Sequence, residues 1–134
     1  MATGTHASMH QDHRCWLGDN DLWRCDVSAW QEEQRQAMAD LAAVDAALKE
    51  HARSLQAHAA AVRLREQDLR GHEHALAQFE QGAAAPELIA LAKSHTEEAA
   101  RHAEQRQTHE RLKQEHHAVM ALIARLREAV SQLG

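Results

Sequence analysis

Apolar residues recur along this chain at alternating spacings of three and four. Before residue 80 the series reads Leu41, Val44, Leu48, His51, Leu55, His58, Val62, Arg65, Leu69, His72, Leu76, Phe79. After residue 87 it reads Leu88, Leu91, His95, Glu98, His102, Gln105, His109, Leu112, His116, Val119, Ile123, Leu126, Val130, Leu133. A repeat of 3.5 residues sustained without a skip is the pattern of helices packed as a coiled coil. Between the two runs lies Glu80-Gln-Gly-Ala-Ala-Ala-Pro-Glu87. Gly82 suits the left-handed position after a helix end. Pro86 suits the first turn of a new helix, and Glu87 suits its positive end. The pattern predicts an all-α fold: a long antiparallel helical hairpin, formed as a coiled coil and dimerising into a four-helix bundle. Its helices run over about 20–80 and 86–133, with a loop over 80–87 and the whole hairpin over 20–134.

The short loop fixes a register. Facing Phe79 with Leu88 makes the numbers of opposed residues sum to 167. Histidine then meets histidine in three layers: His72/His95, His58/His109 and His51/His116. A fourth layer sets Arg65 against His102. Glu98 lies about one turn from His102, so Arg65 either forms a buried ion pair with Glu98 or extends to the surface. Small residues flank the seam, among them Ala47, Ser54, Ala61, Ala75, Ala92 and Ala99. They let further helices approach closely, which is the reason to expect pairing of two hairpins.

Composition sharpens this picture. Ala, Leu, Glu, Arg and Lys make up 70 of 134 residues, a helix-rich usage, and there is one proline and no tyrosine. Histidine is in excess at 12 residues, seven of them on the seam. Leucine would pack better at each of those places, so the imidazoles need a reason: register, pH sensitivity or metal binding. Zinc takes four ligands, or three and a water. One hairpin supplies two imidazoles per layer, and a second supplies two more. The expected ligands are His51, His58, His72, His95, Glu98, His102, His109 and His116. The best-equipped layer is His72/His95, with Glu98 and Glu73 close by. Zinc, nickel, copper and iron all suit histidine with carboxylate, and haem is not expected because nothing indicates a flat pocket.

The upstream segment has its own chemistry. His6, His10 and His13 are spaced four and three apart with Cys15 nearby, a second candidate metal site. Trp16, Trp23 and Trp30 continue the heptad, each followed three residues later by an acid: Asp19, Asp26 and Glu33. At the register above, Trp30 faces a position past residue 134, so the rings need another cover: residues 1–18 folded back, a second copy, or a protein partner. Gly18-Asp19-Asn20-Asp21 reads as a turn and helix cap. Residues 1–19 are therefore expected to form a partly flexible His/Trp-rich segment.

Charge and motifs exclude several classes. A net charge of −5 and a pI near 6.2 argue against nucleic acid as a partner. No apolar run suits a membrane span or a signal peptide, and the two cysteines form no CxxC. The expected location is cytoplasmic. There is no Glu-x-x-His pair, nucleophile elbow, phosphate loop or His-Glu-x-x-His, so catalysis is not the leading expectation. The sequence points to non-catalytic transition-metal binding in sensing, storage or delivery. The alternative is a coiled-coil interaction or scaffolding module with a Trp-rich docking segment. Its core histidines would set register or respond to pH, since buried imidazole resists protonation and stability falls as acid is added.

Overall fold

A computed structural model describes residues 2–82 and 85–134 of the chain. It contains two helices, α1 (Ala2–Glu80) and α2 (Ala85–Ser131), and no strand among the described residues. Alanine and long unbranched side chains carry little or no helix penalty, and α1 contains no proline. Pro86 is the second residue of α2, where a missing N–H leaves no bond unmade, and Glu87 lies in the same first turn. At the end of α1 the amides of Gln81 and Gly82 donate to the carbonyls of Gln78 and Phe79 at 3.1 and 3.0 Å. Gly82 takes φ +118°, a conformation that L side chains rarely adopt. The chain therefore breaks at the glycine expected to break it.

The start of α1 differs from expectation. The segment over Gly18–Asp21 lies inside the helix, which is already formed at Ala2. Glycine in a helix interior costs about 1 kcal/mol and Asp or Asn less. Such penalties do not stop a helix that is already nucleated on both sides. A capping preference is real only where the chain has an alternative to continuing.

The chain divides into two units, residues 1–50 and 51–134. The first is α1 alone over its length. Its surface carries short-range pairs: Arg35 with Glu32 at 2.6 Å, Gln36 donating to Asp40 at 3.1 Å, and Lys49 with Asp45 at 2.8 Å. The hydrogen bond from Lys49 to the Asp45 carboxylate holds the Lys49 ammonium above its ordinary pKa. These pairs are exposed and screened, so they add little to stability.

The second unit is a helical hairpin with its arms antiparallel. Leu112 is buried in it, and Leu55, Leu76, Phe79 and Leu91 are half-buried. Among the described residues the other buried side chains are charged. Arg65 and Glu98 retain 8% and 9% of their exposure and form an ion pair between the arms, Nη1 to Oε2. Arg65 Nη2 also donates to the Glu98 carbonyl oxygen, and Arg101 Nη1 donates to Glu98 Oε1 at 3.2 Å. Arg65 Nε is buried without a hydrogen-bond partner. Of the two sequence readings for Arg65, the buried pair is the one observed. No helix among the described residues is long and apolar enough to cross a membrane.

Removing one partner of a buried pair strands the other charge. Glu98→Ala should lower unfolding stability by about 3 kcal/mol, whereas Arg65→Leu combined with Glu98→Leu should leave it unchanged or higher. Urea titration followed by helix ellipticity measures both.

Candidate metal centre

The three histidine layers are present in the second unit. His51 Nε2 lies 3.2 Å from His116 Nδ1, His58 Nε2 lies 3.0 Å from His109 Nδ1, and His72 Nε2 lies 3.3 Å from His95 Nδ1. Each pair of residue numbers sums to 167, the register expected from the loop. The ring centroids are 5.5, 5.2 and 5.4 Å apart, with interplanar angles of 19°, 35° and 24°. The rings thus meet edge to edge, nitrogen toward nitrogen. In every pair α1 offers Nε2 and α2 offers Nδ1. A heptad translation along antiparallel arms reproduces the same contact, which is why the three pairs are near copies.

Such a contact has two chemical uses. One neutral imidazole can donate N–H to the lone pair of the other. Alternatively, both lone pairs can be given to one ion. Two nitrogens bound to a tetrahedral zinc at about 2.0–2.1 Å stand roughly 3.3–3.4 Å apart. Only the His72/His95 separation reaches that edge length, and the other two are 0.1–0.3 Å shorter, so a shared ion would need the rings to tilt apart slightly. His51, His58, His72 and His116 are half-buried, and His95 and His109 are exposed. The pairs are therefore open to further ligands. A groove of about 470 Å³ runs past Leu69, His72, Glu73 and His95, and another of about 210 Å³ past His58, Gln105 and His109. His51 and His58 are about 10 Å apart along the axis and His58 and His72 about 20 Å, so no ion bridges two layers.

Two of the expected ligands are otherwise placed. Glu98 gives its carboxylate to Arg65 and Arg101. His102 is exposed, and its register partner is Arg65, so no second imidazole stands opposite it. Arg101 was not legible as a participant from the seam alone. Its signal was the i, i+3 spacing from Glu98, which puts the two on one helix face.

In the first unit, His6 and His10 bring Nε2 to Nε2 at 3.1 Å, with rings at 90° and centroids 4.6 Å apart. His13 lies instead against Trp16, with ring centroids 5.4 Å apart. Cys15 is nine residues beyond His6, which on a continuous helix is the opposite side. The N-terminal group is thus a pair of imidazoles and does not gather all four residues. Cys15 and Cys25 are both exposed thiols. Trp16, Trp23 and Trp30 retain 59%, 60% and 60% of their exposure.

Comparison of the chain with protein-family models, with curated proteins and with solved structures finds no match.

Imidazole is a poor substitute for leucine in a helix interface. In metal-free protein, His58→Leu combined with His109→Leu should raise stability by about 1–2 kcal/mol through added apolar burial. His58→Leu alone should gain less, because His109 loses its partner. Denaturant unfolding in the presence of chelator checks both.

Proposed function

We propose that this protein binds a transition-metal ion through its imidazole layers, without catalysis, in a sensing, storage or delivery role. The observation that carries the reading is the repeated nitrogen-to-nitrogen spacing of 3.0–3.3 Å in three layers. Two imidazoles leave a tetrahedral ion half-coordinated. A second hairpin completes each layer to four, as a homodimeric four-helix bundle in which the helices pack as coiled coils. The incomplete burial of the pairs and the apolar residues left exposed beside them, such as Val62 and Leu69 at 42%, support that partner. Zinc is the first candidate because the His72/His95 separation of 3.3 Å matches a tetrahedral edge and the other layers come close to it. Nickel, copper(II) and iron share the ligand preference. The binding residues in this reading are His51 with His116, His58 with His109, and His72 with His95.

A second reading draws on the same distances, which are also hydrogen-bond lengths. In it the pairs set the register of an interaction or scaffolding coiled coil and hold no ion. Metal titration separates the two.

Untagged, chelator-stripped protein should take up zinc to as many as three ions per dimer. Its melting temperature should rise, since free ion at 100 times Kd adds about 2.7 kcal/mol. Replacing His72 and His95 with alanine should remove one ion from the stoichiometry. If no stoichiometric uptake of zinc, nickel, copper(II) or iron is found by elemental analysis, the metal reading fails and the register reading stands.

A further inference from the structure

The first unit presents a heptad seam along a single helix. Met9, Trp16, Trp23 and Trp30 form one column at seven-residue spacing. His13, Asn20, Val27 and Gln34 form a second column, four residues ahead of the first and about 40° around the helix. The large apolar members keep 45–60% of their exposure. Three tryptophans at that exposure leave on the order of 400 Å² uncovered, about half of one partner's share in an ordinary interface.

The edges of this seam differ. On one side run Asp12, Asp19, Asp26, Glu33 and Asp40, again at seven-residue spacing. On the other run His10, Leu17, Arg24, Gln31 and Met38, with no acid among them. In an antiparallel pair of identical helices like edges face each other, so the acid columns would oppose along their length. In a parallel pair opposite edges meet. Asp19 then lies near Arg24 of the second copy, Asp12, Asp26 and Glu33 meet Leu17, Gln31 and Met38, and only Asp40, beyond the seam, meets an acid, Asp45.

The second column identifies the occupant. Asn20 and Gln34 sit at positions that point into a seam, and an amide there is satisfied by another amide at the same height. Two copies in register supply that partner at both places. A foreign helix would need matching amides at the same two levels.

We propose that the tryptophan seam is where a second copy of this chain docks, in parallel and in register, through residues 9–34. This deepens the dimeric part of the proposed function, on which it rests, and is independent of metal. The acid column selects the orientation, the paired amides select the register, and the tryptophans supply the buried area.

Single-cysteine variants read both orientation and register. His13→Cys and Val27→Cys, each placed in a Cys15→Ser/Cys25→Ser chain with chelator present, set the new thiols about 21 Å apart along the helix. Each variant alone should cross-link to a dimer under mild oxidation, and Trp23→Gln should raise the dimer Kd at least tenfold while helix content is retained. A dimer by sedimentation in which neither variant cross-links alone, or in which only mixed variants cross-link, would mean another orientation or register and would overturn the proposal. A monomer by sedimentation at 50 µM with neither variant cross-linking would overturn it as well, and would leave the seam to a different protein. Zinc uptake is measured separately on the unmodified chain. Cross-linking without uptake defeats only the metal reading, and uptake without cross-linking defeats only this one.

Discussion

One buried ion pair guards the register that the short loop of the hairpin sets. Among the described residues, Arg65 and Glu98 are the buried charged side chains, in an interface of apolar side chains, imidazoles and the half-buried Gln105. A leucine seam tolerates a heptad slip, because leucine meets leucine again seven residues on. A buried guanidinium does not, since a slip leaves two charges in a poor solvent without each other. The pair also has two hands: Arg65 reaches the Glu98 backbone carbonyl as well as its carboxylate, and Arg101 holds the carboxylate from its own helix. Fixing this contact fixes the alignment of every layer in the second unit. The three imidazole contacts, each soft and replaceable alone, share the one register that the loop and this pair both favour.

Much of that alignment was legible in the residues. A loop of a few residues ending in Gly82 and Pro86 allows only one heptad register without stretching or crowding the turn. Phe79 opposite Leu88 then forces histidine onto histidine at three levels. What could not be read was which way long side chains turn. Arg65 lies level with His102 in the register but reaches one turn along to Glu98, because a guanidinium extends several ångströms beyond its own Cα layer. Glu98 was thereby lost as a candidate ligand. Which ring nitrogen faces inward is equally invisible in spacing, since it depends on rotamers set by packing.

The N-terminal half shows the opposite balance. Gly18-Asp19-Asn20-Asp21 has the composition of a helix start, yet the helix runs through it. Local preferences of a fraction of a kcal/mol per residue decide a boundary only when nothing on either side is already helical. Continuity of the helix then sorted the histidine cluster: His6 and His10 stand one turn apart and meet, whereas Cys15 is carried to the far side. Proximity in sequence was a poor guide there, and angular position a good one.

The repetition of Nε2 against Nδ1 in all three layers carries a consequence for response. In the proposed reading, an ion arriving at any layer would meet the same atoms at nearly the same separation. The layers are too far apart for direct electrostatic coupling to dominate across about 10–20 Å of partly wet interface. Occupancy would then rise as the sum of near-identical, weakly linked steps. Such a ladder would multiply capacity without sharpening or widening the response, because identical, uncoupled sites fill over the same range as one.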